Sequence, residues 1–327
     1  MTEVTTRAVG WDDAELRLDR WFARHLPQVP RGMLLKWLRT GQVRVDGMRA
    51  EAGTRLAPGN QVRIPPLPDM VAPGRQTLAV SDDDARDLRK RVLYQDSDVI
   101  VLDKPFGLAV QGGPGITKHL DGMLEALAGD GERPRLVHRL DRDTTGVLVL
   151  ARSANAASRL AAAFRGRDAH KTYWAVVAGR PVPVEGEVKL ALEKSGPPQG
   201  ERVRARDDGA PAVTHYRTLD HAARKLAWLE LNPLTGRTHQ LRVHCTALGA
   251  PILGDGKYGG AASRVAGLSH DLHLHARRLE IPHPAGGILV AEAPLPPHMQ
   301  ATFRDLGFTA PAVRRPRISA RGKREGA

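Results

Sequence analysis

The 327-residue chain contains a single cysteine, Cys245. One thiol can form no internal disulfide and cannot build a cysteine-rich zinc site, which excludes a disulfide-stapled scaffold and fits a reducing cytosol. Long apolar runs are absent too. No stretch reaches the roughly 20 residues that a membrane helix needs, and residues 1–19 lack the apolar centre of a signal peptide. The expectation is therefore a cytoplasmic chain with no membrane partner. Gly112-Gly113-Pro114-Gly115 lacks the Gly-Lys-Ser/Thr ending of a phosphate-cradling loop, and no Ser or Cys sits in a nucleophile elbow. The histidines include His239, His244, His273 and His275, yet no two have the i, i+4 spacing of a helical zinc pair. Neither a nucleotide cofactor nor a metal is implied.

Acid is scarce relative to base. Lys and Arg number 49 against 36 Asp and Glu, a formal charge of +13 with a pI near 10.4. Such a balance points to a polyanionic partner, nucleic acid first, bound in a salt-dependent way.

Residues 14–66 read as a small α/β unit. Leu16, Leu18, Trp21, Phe22 and Leu26 keep helical spacing, as do Met33, Leu34, Trp37 and Leu38. Two short strands follow, residues 42–45 and 61–64, with the hairpin pair Asp46-Gly47 after the first. Arg17, Arg20, Arg24, Arg31, Lys36, Arg39 and Arg44 decorate the unit. Residues 67–91, rich in Pro, Gly and acid, read as a linker. A main domain spans 92–310, with strands at 92–102, 146–151, 173–178, 212–219, 226–231 and 287–293 and helices at 153–164 and 237–248. Ser153 is a candidate N-cap; Gly166 and Gly249 are candidate stops. So few helices, so irregularly placed, exclude a doubly wound parallel sheet, and the class is α+β, with a mixed, mostly antiparallel sheet and flanking helices. The basic tail 311–327 is expected to be disordered, serving either as an RNA-touching arm or as a solubilising end.

The most informative segment is His-Arg-Leu-Asp-Arg-Asp-Thr-Thr-Gly, His138 to Gly146. It places Asp141 between Arg139 and Arg142 on a connection between two short Val/Leu runs, where the carboxylate is expected to stay ionised and where binding and catalytic groups concentrate. Ion pairs for local order look the same in sequence. Three further segments accompany it: Leu102-Asp103-Lys104-Pro105-Phe106-Gly107-Leu108 followed by Val110-Gln111-Gly112-Gly113, then Lys171-Thr172-Tyr173-Trp174-Ala175, and last Gly236-Arg237-Thr238-His239-Gln240-Leu241-Arg242-Val243-His244. In the last, Leu241, Cys245 and Leu248 form a core stripe, and His239 and Arg242, three apart, project together from a neighbouring face.

These four segments, in this order, resemble the RluA family of pseudouridine synthases, and residues 14–66 resemble an S4 RNA-binding domain. The resemblance implies a pseudouridine synthase fold, no cofactor, and isomerisation of specific uridines in RNA. The full Asp141 segment and the Gly-Gly after Gln111 are most similar to the RluC type that acts on 23S large-subunit ribosomal RNA; a tRNA-directed enzyme or a silent RNA-binding assembly factor are the alternatives. By position, Asp141 is the catalytic carboxylate, acting at C1′ or C2′ of the ribose. Arg242 is its paired arginine, and Tyr173 stacks on the uracil. Arg139 fills the space of the flipped nucleotide, Arg142, Lys171 and His239 are substrate contacts, and Leu241 packs under the base. Lys104-Pro105 supports the site wall, and Leu274-His275-Ala276 is framework. Gln111, where many relatives carry His, and Thr145, in place of the usual Ser, depart from the pattern. A monomer is expected.

Overall fold

The computed structural model describes residues 4–10, 13, 15–67, 80–113, 116–195, 202–223 and 225–319. Contacts divide the chain into two compact units, Met1–Thr77 and Leu78–Ala327.

The first unit runs β1 (Thr5–Ala8), α1 (Leu18–His25), α2 (Arg31–Arg39), β2 (Arg44–Val45), β3 (Met48–Arg49) and β4 (Gln61–Ile64). Its sheet has the order β1-β4-β2-β3. Leu18, Trp21 and Phe22 of α1 and Leu34, Trp37 and Leu38 of α2 bury together with Val43, Val45, Val62 and Ile64 in one core, so the helical spacing does what amphipathic spacing should. Asp46 and Gly47 both have positive φ, 50° and 77°, the requirement of the tight β2–β3 turn. The strand β1 has no sequence signal; it forms because β4 offers it an antiparallel edge. Several basic groups have internal partners. Arg17 is held by Asp19, Arg24 by Asp13, and Arg44 by the Gly41 and Gly47 carbonyls.

The second unit begins with α3 (Asp82–Lys90), β5 (Val92–Gln95), β6 (Val99–Lys104), α4 (Leu120–Met123), β7 (Arg135–Leu136), β8 (Thr145–Ala151) and α5 (Ala154–Gly166). It continues through β9 (His170–Ala178), β10 (Glu185–Ser195), β11 (Arg202–Ala205), β12 (Ala210–Ala222), β13 (Leu226–Pro233) and α6 (Gln240–Ala247), and ends with β14 (Leu274–Pro282), β15 (Ile288–Glu292), α7 (Pro297–Leu306) and β16 (Arg317–Ser319). One sheet takes the order β11-β10-β12-β13-β9-β14-β8-β6-β5, with β15 beyond β14, β16 beyond β15, and β7 on β8. Among the described strands only β14 and β8 pair in parallel; all other pairings are antiparallel, giving the expected α+β class. In β6, Val99 and Val101 enter a core shared with α5, while Ile100 and Leu102 enter one shared with α3 and α4. Both faces of the sheet are covered there, so β6 and β8 read as unbroken apolar runs.

Several boundaries differ from the sequence reading, and strands β10, β11 and β14 and helix α7 are not among the elements it delimits. The acidic run placed in the linker is the first turn of α3. Ser81 accepts the Asp84 amide at 3.1 Å, and Asp82–Asp84 and Arg89–Lys90 complement the two ends of the helix dipole. Residues 68–79 of that linker lie outside the described residues. The strand read as 92–102 is a hairpin, because the Asp96 carboxylate takes the Asp98 and Val99 amides and turns the chain. Helix α5 is capped by Ser153 as expected, but the left-handed residue that ends it is Arg167, φ 66°, one past Gly166. The tail is ordered at Arg317–Ser319, which pairs with Ile288–Val290 and occupies an edge that β15 otherwise leaves open. Its basic residues from Arg321 onward lie outside the described residues. Among the described residues no helix is long and apolar enough to cross a membrane.

Candidate active site

The segment carrying Asp141 connects β7 to β8. It is anchored at its root by His138, whose Nε2 accepts the Val149 amide at 2.8 Å and whose ring stacks on Phe164 at 4.4 Å. Burial pushes that imidazole down to about 3, with the Lys171 charge adding to the effect; it is a neutral acceptor. Leu140 is buried, which turns the neighbouring Asp141 carboxylate outward into a cavity of about 660 Å³. Behind the turn, the ammonium of Lys104 is enclosed at the end of β6. It donates to the carbonyls of Pro105, Leu108 and Arg142 at 2.9, 2.8 and 2.8 Å. Burial lowers its pKa to about 7 against the attraction of Asp143 and Asp141. A buried ammonium with three carbonyl acceptors is a satisfied cation, and here it fixes the peptide next to Asp141.

At the start of β8, Gly146 has φ +106°, and a side chain there would collide with the Ala276 carbonyl of β14. The parallel β8–β14 contact requires glycine at this point. Next to it, Thr145 Oγ1 meets His275 Nδ1 at 2.8 Å, so the Thr in place of Ser keeps the hydroxyl and adds a buried methyl.

On β9, Tyr173 pairs across to Ala276 of β14 and Leu231 of β13 and lines the cavity. Burial first, and the Asp141 charge second, push its phenol up, so it presents a neutral ring. Lys171, two residues earlier on the same face, also lines the cavity, and burial lowers its pKa.

Helix α6 supplies the opposite wall. His239 precedes it in a left-handed conformation, φ 53°. Its Nδ1 lies 2.7 Å from the Tyr258 hydroxyl and its Nε2 lies 3.9 Å from Asp141 Oδ2. Leu241 is buried on the core stripe with Cys245 and Leu248 and also lines the cavity. Arg242 also lines it, but its fork is occupied: Nε and Nη2 donate to the two carboxylate oxygens of Asp255 at 2.8 and 2.6 Å.

The cavity thus brings the Asp141 carboxylate together with the Tyr173 ring and the basic side chains of Arg139, Lys171 and Arg242. A family model described as RNA pseudouridylate synthase matches residues 98–247. The chain is 35% identical over 302 residues to "Ribosomal large subunit pseudouridine synthase C" of Escherichia coli O6:H1, covering 88% of this chain and 92% of that protein. It is 34% identical over 379 residues to "RNA pseudouridine synthase 4, mitochondrial" of Arabidopsis thaliana, covering 89% and 80%. The chain belongs to the RNA pseudouridine synthase family. The synthase is also similar to the solved structure "Human RNA Pseudouridylate Synthase Domain Containing 4", with a TM-score of 0.58 and 30% identity over 70% of this chain and 97% of that one. The enzyme is thus an isomerase of uridine in RNA.

Of the residues singled out in the sequence, Asp141, Arg139, Lys171, Tyr173, His239, Leu241 and Arg242 line the same cavity. Arg142 does not. Its exposed guanidinium turns to Asp143 at 3.0 Å, an adjacent acid that the local turn brings within reach. The direct pairing of Arg242 with Asp141 is likewise replaced by the Asp255 pair, because the Gly254–Tyr258 turn sets a buried carboxylate closer to the fork. Asp141 acts on Arg242 only as a nearby charge. Asp255, Tyr258 and the carbonyl-binding role of Lys104 escaped the sequence reading. Gly254-Asp255-Gly256, an acid held between glycines, is the signal that was there: Gly254 has φ +76°, and a side chain on it would strike the Asp271 carbonyl.

One group of possible metal ligands occurs among the described residues, Asp96, Asp98 and His283, none of which lines the cavity. His283 Nδ1 accepts the Ala285 amide at 3.2 Å, which puts its proton on Nε2, 3.0 Å from Asp96 Oδ2. That carboxylate also takes the Tyr94 hydroxyl at 2.8 Å. The group is a turn held by its own backbone hydrogen bonds, and His283 Nε2 approaches Asp96 without hydrogen-bond geometry.

Proposed function

We propose that this synthase modifies uridine in large-subunit ribosomal RNA and that Asp141 is its catalytic carboxylate. The reaction breaks the N1–C1′ bond, turns the uracil and forms a C5–C1′ bond; the C5 proton leaves and N1 gains one. Nothing is oxidised or reduced. An ionised carboxylate beside the sugar, a platform for the freed base and exclusion of water meet these needs. Asp141 serves at C1′ or C2′ of the ribose, and Tyr173 stacks on the uracil with Leu241 packing beneath. Arg139, exposed at the mouth, fills the place of the flipped nucleotide, and Lys171 contacts the RNA backbone. Arg242 is a positioning residue that acts through Asp255 and through its charge.

The observation that carries this reading is the convergence of Asp141, Tyr173, Lys171, His239 and Arg242 on one cavity from the β7–β8 connection, β9 and the start of α6. The ribosomal target is supported by the printed function of the relatives that align along most of the chain. Residues 14–66 act as an S4-like RNA-binding unit, supported by Arg31, Lys36 and Arg39 exposed on α2. The synthase works as a cytoplasmic monomer. Mapping pseudouridine in total RNA from cells with and without this protein tests the reading: loss of modification in 23S ribosomal RNA is expected, and loss confined to tRNA would overturn the target.

A further inference from the structure

Tyr258 is placed by two contacts. Its hydroxyl oxygen accepts the backbone N–H of Val203, on β11, at 3.0 Å, and it lies 2.7 Å from His239 Nδ1. A phenol has one proton to give, and among the described contacts Nδ1 is the acceptor within its reach. His239 therefore receives on Nδ1 and carries its own proton on Nε2. Burial holds the ring below its usual pKa despite the Asp141 charge, so the ring has this one N–H. That N–H faces Asp141 Oδ2 across 3.9 Å, with both groups on the cavity wall.

A separation of 3.9 Å is too long for a hydrogen bond. It suits a single oxygen sitting about 2.7–2.9 Å from each end. The two ends make opposite demands: His239 Nε2–H needs an acceptor, and the carboxylate needs a donor. A carbonyl or phosphate oxygen would satisfy the histidine and repel the aspartate. A hydroxyl satisfies both at once. In a nucleotide placed with its sugar against Asp141, the hydroxyl next to C1′ is the 2′-OH, both donor and acceptor and the group that separates RNA from DNA.

We propose that His239 and Asp141 together read the ribose 2′-hydroxyl of the target nucleotide, which accepts from His239 Nε2–H and donates to Asp141 Oδ2. The proposal rests on the placement of Asp141 beside the sugar. Tyr258 is the positioning residue, because its proton fixes which ring nitrogen faces the substrate. The arrangement makes ribose selection part of the catalytic floor and independent of base stacking on Tyr173.

The test uses the full chain and a stem-loop RNA containing the uridine mapped in cells, synthesised with either uridine or 2′-deoxyuridine at that one position. Equilibrium binding is the readout, so that the chemistry of the deoxy substrate does not enter. The wild-type protein should prefer the ribose form on the order of tenfold, as expected for a hydroxyl bonded to a charged group. His239→Asn tolerates the left-handed backbone and is too short to span the gap, and its preference should fall toward equality. Tyr258→Phe should also shrink the preference, and the nitrogen chemical shifts of His239 should show loss of the pure Nε2–H form. A wild-type protein indifferent to the 2′-hydroxyl, or a His239→Asn variant with the full preference, would overturn the proposal. An Asp141→Asn variant that still turned over would instead overturn the assigned role of Asp141 in the chemistry, while the ribose reading would still be decided by the binding ratio.

Discussion

Arg242 and Asp255 meet as a buried pair joined by two parallel hydrogen bonds, 2.8 and 2.6 Å long. Asp255 also accepts the amides of Lys257 and Tyr258 at 3.1 and 3.0 Å. One carboxylate thus fixes both the arginine of the cavity wall and the turn that presents Tyr258. The guanidinium lies 5.0 Å from the Tyr258 ring centroid, so the three residues form a single packed block.

Removing that carboxylate leaves an uncompensated buried cation. Asp255→Ala should lower the unfolding free energy by about 3–5 kcal/mol, and Asp255→Asn, which keeps shape and one acceptor, by less. Urea unfolding measures both. A loss below about 1 kcal/mol in the alanine variant would mean that the pair contributes little to the fold. Arg242→Lys should keep the charge and still lose activity, since an ammonium cannot bind both oxygens in a plane.

Asp141 differs from Asp255 in every respect that governs stability. Its side chain is 25% exposed, and the neutral ring of His239 stands 3.9 Å away. Asp141→Asn should abolish release of tritium from RNA labelled at uridine C5 while the unfolding midpoint stays near that of the wild type. Turnover by the asparagine variant would contradict the catalytic assignment.

Acid should destabilise the second unit through its buried imidazoles. Burial lowers His138 and His275 to about 3 and His244 and His273 to about 4. The rings are neutral when folded, whereas the unfolded chain takes up their protons below about 6.5. The stability they sustain is complete above that pH. It is lost as pH falls toward 3–4, at about 1.4 kcal/mol per pH unit per ring. Asp103, pushed up to about 6 by burial, works in the opposite sense between about 4 and 6, so a net fall remains. Urea unfolding at about pH 7 and about pH 5.5 should show it, and His275→Asn should flatten the slope; equal stability at both values would refute the argument.

On α2, Arg31, Lys36 and Arg39 are exposed. Replacing all three with alanine should weaken binding to large RNA and reduce the steepness of its salt dependence, by roughly 0.9 in the log-log slope per lost phosphate contact on duplex RNA-like sites. Turnover at saturating substrate should change little. An unaltered slope would assign these side chains to solubility.

The sequence reading succeeded where structure is local. The Asp46-Gly47 turn, the Ser153 cap and the Leu241–Cys245 stripe each follow from a few adjacent residues, and three of the four ordered segments supply residues to the cavity. It failed where the partner is distant or the signal is ambiguous. Nothing in the pattern around Arg242 announces an acid 13 positions away that outcompetes Asp141 for its fork. Three consecutive aspartates serve a loop as readily as the start of α3, and the difference is made by Ser81 and by burial of Ala85 and Leu88. Strand β16 is legible only from the edge it covers. Arg142 reads as a substrate contact beside Arg139 because both flank Leu140-Asp141, and only the turn separates the one that enters the cavity from the one that meets Asp143.

The position of β14 in the sheet has a kinetic consequence. It lies between β9, which carries Tyr173, and β8, which follows Asp141, and no other described strand joins those two halves. Thr145 and His275, in contact across that junction, are 130 residues apart in the chain. Loop closure over such a span is slow compared with the local hairpins on either side. During synthesis the two halves of the cavity can each fold as soon as they emerge, yet they remain unconnected until residues 274–276 arrive and insert between them. Until then the nascent chain has no described strand to join the part of the sheet that carries Tyr173 to the part that follows Asp141.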